Sequence, residues 1–188
     1  FLPVSEDVWP FLADAPAGHL VGVSRHAHRN DNTIARVSAP GIFRPPTAVN
    51  EPIRSYAPGT PERAELRARL GEMSGERIHI PMVIGGERVE TGTTFEAVMP
   101  HRRAHVLADV EKGGSAAVER AIAAARAAHP AWSRTPWHER VAVFLRAAEL
   151  ISGPWRSTIN AATMLNQSKT AFQAEIDAAC ESIDFWRF

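Results

Sequence analysis

Apolar residues follow two regimes along the chain. Between residues 78 and 110 they come in short runs at strand spacing; beyond residue 115 they recur every three or four positions. Thr60-Pro61 predicts a helix start, with an N-cap residue before proline at the first helical position. That helix runs through Leu66 and Leu70 and stops at Gly71. Ile78 to Ile84 reads as a strand run, Gly85-Gly86 as a two-residue hairpin turn, and Glu87 to Glu90 as the returning strand. Phe95–Met99 and His105–Val110 are two further strands, with Pro100 and Arg102-Arg103 turning the chain between them.

The second half predicts helices. Ser115 caps one that reaches His129 and ends at Pro130, with Val118, Ile122 and Ala125 on its buried stripe. Thr135-Pro136 repeats the cap-and-proline start, and Val141, Phe144, Leu145 and Ala148 form the core face that follows. Gly153-Pro154 breaks the helix and restarts it. Thr170 caps a last helix whose apolar face holds Phe172, Ile176, Ala179 and Ile183. Residues 1–46 show no steady period and carry many prolines, so an extended or disordered arm is expected there, with at most two helical turns over Glu6 to Ala13. Residues 47–188 form the folded portion. The pattern as a whole is α/β: a small β-region followed by helices.

Composition narrows the function classes. Lys+Arg and Asp+Glu are both 21 in 188 residues, so no basic footprint points to a nucleic-acid partner. One cysteine excludes an intrachain disulfide framework and a multi-cysteine zinc site. No apolar run approaches the ~20 residues of a membrane helix. His19, His26 and His28 lack a cysteine or carboxylate at ligand spacing, so no metal is expected. Arg25, Arg29, Arg36 and Arg44, with few acids nearby, faintly resemble a transit peptide, which the prolines argue against.

The remaining candidates reduce to bland readings. Cys180 falls deep inside a helix, where a small packing residue is expected rather than a low-pKa nucleophile. The Gly85-Gly86 pair links two strands and so cannot be a dinucleotide turn. Gln167-Ser168-Lys169-Thr170 resembles the end of a phosphate loop but lacks its glycines. Glu175, Asp177, Glu181 and Asp184 crowd the last helix beside its apolar stripe, as surface or salt-bridged charges. Spacing and composition alone disclose no catalytic site.

A longer match carries more. Pro81 to Gly86 through Phe95–Pro100, then Val118 to Ala128 with Ala131-Trp132, then Glu139-Arg140 with Leu145 to Ile151, resemble the N-terminal portion of the aldehyde dehydrogenase superfamily. Leu150 to Arg156, Gln167 to Ala179 and Ile183 to Phe188, with Val49–Pro52 and Gly59–Arg63, are similar to its L-glutamate γ-semialdehyde (1-pyrroline-5-carboxylate) dehydrogenase branch. The resemblance covers residues 47–188. It departs from the branch at Asn166-Gln167-Ser168, where relatives often have glycine.

The resemblance implies NAD-dependent oxidation of glutamate semialdehyde to glutamate in proline catabolism, by a thiolate nucleophile and a glutamate-activated water. It also implies that the catalytic Cys and Glu and the main NAD-binding strands lie beyond Phe188, so no catalytic residue is expected in this chain, and Cys180 does not align with the nucleophile. The helices would pack on a Rossmann-like NAD domain that this chain lacks. Phe1 and the closing Phe185-Trp186-Arg187-Phe188 give both ends the look of cuts. Glu175 matches an acidic position bordering the aldehyde end of the site, and its implied role is to hold the substrate's amino group; an interhelix salt bridge is the equal alternative. The resemblance further implies a small-molecule substrate, a homo-oligomer when full length, and a bacterial cytoplasmic location, with the mitochondrial matrix as alternative. Two other readings stand beside it: a non-catalytic partner-binding module, and another substrate branch of the same superfamily. Alone, the chain is expected to be inactive and aggregation-prone, with Phe172, Ile176, Ile183 and Trp186 exposed.

Overall fold

The computed structural model describes residue 42 and residues 44–188. The expectations for Glu6 to Ala13, for the three N-terminal histidines and for Arg25, Arg29 and Arg36 lie outside the described residues. One compact unit runs from Pro45 to Phe188.

An extended segment through residues 45–57 leads into α1 (Pro61–Gly75). Thr60 is its N-cap by position, but its hydroxyl donates to the Ala57 carbonyl and makes no side-chain cap. The helix passes Gly71 and adds another turn, because one glycine costs a helix only about 1 kcal/mol and Met73 packs on the core beyond it. Next come β1 (Ile78–Ile80), β2 (Met82–Ile84), β3 (Glu87–Val89), β4 (Thr94–Met99) and β5 (Arg102–Glu111).

The single strand run expected over Ile78 to Ile84 is divided at Pro81, which lacks the N–H a continuous ladder needs. β1 pairs parallel with β5 in a three-stranded sheet of order β1-β5-β4, whereas β2 pairs antiparallel with β3. Gly85 and Gly86 both take positive φ, 63° and 83°, the conformation a tight two-residue hairpin demands. β4 and β5 are antiparallel, with irregular register near Val98. Arg102 and Arg103 belong to β5 rather than to the turn; Arg102 already pairs with Met99, so Pro100 and His101 alone reverse the chain.

α2 (Ser115–Arg134) starts one residue off the expected cap, with Gly114 as N-cap and no side-chain bond. It continues through Pro130. Proline removes one donor from the ladder, but the last turn is closed again by the Thr135 amide on the Ala131 and Trp132 carbonyls and by the Thr135 hydroxyl on Ala131. α3 (Trp137–Ser152) has Pro136 as N-cap rather than N1. The Gly153-Pro154 break separates it from α4 (Arg156–Gln167) as expected. The last helix is one continuous run in three pieces: α5 (Ala171–Ala174), a π-helical segment (Glu175–Cys180) and α6 (Glu181–Arg187).

Two small cores hold the helices together. Tyr56, Leu66 and Ala161 are buried with Leu70, Met73, Met164 and Ala171 against them. Ala148, Ala179 and Ile183 form the other, flanked by Ile151 and Ile159. The helical stripes are only partly used. Val118 and Ile122 on α2, Phe144 on α3 and Phe172 on α5 are about half exposed, not buried, because no described element covers those faces. Ile183, expected to be exposed in the chain alone, is fully buried, while Phe185 and Phe188 are largely open.

Thr170 makes a complete capping box: its hydroxyl accepts from the Gln173 amide, and the Gln173 side chain accepts from the Thr170 amide. Thr170→Ala removes one half of that reciprocal pair. It is expected to lower unfolding free energy by about 1 kcal/mol, measurable as a shift in the urea midpoint at unchanged slope.

Candidate functional site

The break at Gly153-Pro154 sets Arg156 at the first position of α4, with Asn160 one turn on. A cation there opposes the positive end of the helix dipole, so it needs compensating anions. It finds two. Its guanidinium pairs with Glu51 from the extended segment and with Glu175 from the π-segment. It also donates to the Pro52 carbonyl at 2.7 Å. Arg156, Asn160 and Glu175 are all essentially without solvent exposure.

Glu175 is the centre of the cluster. Besides Arg156, its carboxylate accepts from the Arg54 amide, the Tyr56 hydroxyl and the Asn160 side-chain amide, each at 2.8 Å. The Cys180 thiol lies 3.8 Å away as a weak donor. Asn160 also donates to the Tyr56 hydroxyl at 2.8 Å. That pair of donations fixes the amide's orientation, since the flipped form would face its oxygen to the carboxylate, and it leaves Asn160 Oδ1 buried without a partner. Asp184 extends the cluster, accepting from the Glu51 amide at 2.7 Å and the Asn50 side chain at 2.8 Å. Residues 49–56 are thereby strapped across α4 and the last helix.

Electrostatics follow the contacts. Burial alone would push the Glu175 carboxyl up, but the Arg156 guanidinium, with the Arg54, Tyr56 and Asn160 donors, holds it below the usual carboxylate range. Burial and the bond to Glu175 push the Tyr56 hydroxyl up to about 12. Burial, then the charge of Glu175, pushes the Cys180 thiol up to about 11. A thiol so placed stays protonated at neutral pH and is not a nucleophile. Glu175 is therefore held as a fixed, ionised carboxylate, and Tyr56 and Cys180 beside it are pushed away from neutrality rather than tuned to it.

The other acidic residues of the last helix separate. Asp177 is an exposed partner of Lys169 at 2.7 Å, Glu181 is exposed, and Glu175, expected among surface charges when read from spacing alone, is fully interior. The interhelix salt bridge is thus the contact Glu175 makes in this chain. Sequence reasoning passed over Arg156, Tyr56, Asn160 and Glu51. The available signal was Arg156 at a helix start, a position that disfavours cations unless they are paired. Among the described residues no group of three or more His, Cys, Asp or Glu could hold a metal ion.

A dinucleotide needs a glycine-rich strand-to-helix turn in a parallel unit. Gly85-Gly86 joins antiparallel strands, and the one parallel pair among the described residues, β1 and β5, is not joined by a crossover helix. The described residues do not form an NAD cradle.

The sequence pattern of the aldehyde dehydrogenase family matches residues 88–188. The delta-1-pyrroline-5-carboxylate dehydrogenase of Agaricus bisporus is 46% identical over 147 residues, covering 78% of this chain and 27% of that protein. The mitochondrial enzyme of that name from Mus musculus is 44% identical over 139 residues, covering 74% of this chain and 25% of its own length. Among solved structures, the Mycobacterium tuberculosis delta-pyrroline-5-carboxylate dehydrogenase bound with NAD and cobalamin superposes with a TM-score of 0.77 at 47% identity, over 79% of this chain and 28% of that one. A Thermus 1-pyrroline-5-carboxylate dehydrogenase with bound NAD gives 0.69 at 30% identity, again over 79% of this chain and 28% of the other. The chain spans about a quarter of the length of the curated relatives it matches.

Proposed function

Because the chain belongs to the aldehyde dehydrogenase family, we propose that it is the N-terminal portion of an NAD-dependent enzyme that oxidises L-glutamate γ-semialdehyde, the open form of 1-pyrroline-5-carboxylate, to L-glutamate. The observation that carries this is the joint sequence and fold match to enzymes of that name, above 40% identity over three quarters of the chain. In the overall reaction, aldehyde and water yield the acid and a proton as NAD accepts the hydride. The nucleophile, the water-activating carboxylate and the NAD cradle belong, in this reading, to polypeptide outside the 188 residues. The chain's own part is structural and steric: it supplies the β-region, the helical wall and the Glu175 cluster.

Glu175 enters as the acidic group beside the substrate's amino end. Its ionised state supports that role, since a carboxylate attracts an ammonium. Its filled hydrogen-bond capacity sets a condition: a substrate ammonium reaches it only by displacing one of the present donors. The proposal also places the working enzyme in a homo-oligomer in the bacterial cytoplasm, with the mitochondrial matrix as the alternative; some relatives carry the mitochondrial location in their names. No described helix is long and apolar enough to cross a membrane.

Substrate comparison tests the reading. The complete gene product is expected to show kcat/KM for glutamate semialdehyde at least about a hundredfold above that for propanal, a difference of roughly 2.7 kcal/mol in transition-state binding. Equal values for the two aldehydes would reject the glutamate-semialdehyde branch.

A further inference from the structure

The Glu175 cluster closes on itself, but the opposite side of Tyr56 does not. Its ring lines a cavity of about 390 Å³ between α1 and the α4–α5 junction, within the size range of small-ligand sites. Leu66 and Leu70 on α1, Met164 on α4, and Ala171 and Phe172 on α5 make the apolar walls. A second cavity of about 280 Å³ adjoins it, sharing Leu70 and Met164 and continuing past Leu165. Together they make an apolar trough.

The charges on the trough are of one sign. Arg63 and Arg67 line the first cavity and Lys169 the second, and no carboxylate lines either, in a chain whose formal net charge is zero. These cations differ in commitment. Lys169 is paired with Asp177. Arg63 spends a donor on the Tyr56 carbonyl at 2.9 Å and has no ion-pair partner among the described residues. Arg67 is exposed and has no hydrogen-bond or ion-pair partner among the described residues. The end with unspent positive charge is therefore the α1 end, and the apolar walls run away from it.

We propose that this trough binds an aliphatic carboxylate, with the headgroup on Arg67 and Arg63 and the chain along Leu66, Leu70 and Met164. Guanidinium suits a carboxylate because it presents paired donors in a planar fork. Methionine suits a flexible chain because it adapts to irregular apolar shapes. A neutral hydrocarbon would leave the arginines unused, and a cationic amphiphile would be repelled by them.

Isothermal titration calorimetry of the complete gene product with decanoate, and with decyltrimethylammonium as the cationic counterpart, tests the site. Expected are saturable one-to-one binding of decanoate, none of the cation, and binding about tenfold weaker in Arg67→Glu, as charge reversal at a headgroup contact requires. Arg67 is exposed, so this variant leaves the fold intact. Three results would overturn the proposal: no saturable decanoate binding, equal binding of both amphiphiles, or an unchanged Kd in Arg67→Glu.

Discussion

Arg156→Ala is expected to destabilise the chain by about 3–5 kcal/mol, the cost of stranding buried charge. The guanidinium is the shared counter-ion of Glu51 and Glu175 and is itself 1% exposed. Removing it leaves Glu175 at 0% exposure with only neutral donors, and takes away the strap's Glu51 and Pro52 contacts to α4, leaving Tyr56 on Asn160. A domain is stable by only about 5–15 kcal/mol, so the variant should populate unfolded molecules at mild denaturant. Urea unfolding followed by far-ultraviolet circular dichroism measures it. Replacing both Arg156 and Glu175, as Arg156→Met with Glu175→Leu, should recover only part of the loss, because the Arg54 amide, the Tyr56 hydroxyl and the Asn160 amide then lose their shared acceptor. A loss below about 1 kcal/mol for Arg156→Ala, the range of exposed pairs, would contradict the account of the cluster.

Acid should act through the same carboxylate. The folded-state pKa of Glu175 lies below its unfolded value near 4.5, so in that window the unfolded chain binds more protons than the native one. The stability contributed by Glu175 is then complete above about pH 4.5 and is lost as pH falls through the folded value. Glu111, held down by the amide and hydroxyl of Thr91, and Asp109, held down by Arg77, shift in the same direction. Unfolding temperature should be flat from pH 7 to 5 and drop below that window. Glu175→Gln, which cannot titrate, should show lower stability at neutral pH and a shallower acid drop. An acid drop of the same steepness in this variant would assign the effect to other carboxylates.

The local code was readable where one residue decides a conformation. Gly85-Gly86 can only be a turn at positive φ, Gly153-Pro154 can only break a helix, and Thr170 three residues before Gln173 makes a capping box. It failed where neighbours decide. Pro130 predicts a helix end, yet the turn beyond it closes through Thr135. Val118, Ile122 and Phe144 obey a helical period and so read as buried, but periodicity says only that a face is apolar, not what covers it. The Glu175 cluster lay further from reach. Its members stand at residues 51, 54, 56, 156, 160 and 175, and no spacing rule joins residues a hundred positions apart. Among those six, only Glu175 was singled out, and that through its resemblance to an acidic position rather than through its surroundings. The π-segment adds a further obstacle, because it rotates Glu175 and Cys180 relative to a regular helix.

NADH formation with glutamate semialdehyde, measured in parallel for this 188-residue chain and for the complete gene product, tests the central claim most directly. The account predicts no turnover by the chain, whose described residues hold neither an activated thiol nor an NAD cradle, and steady NADH production by the complete protein. Turnover by the chain alone, or none by a folded complete protein, would contradict it.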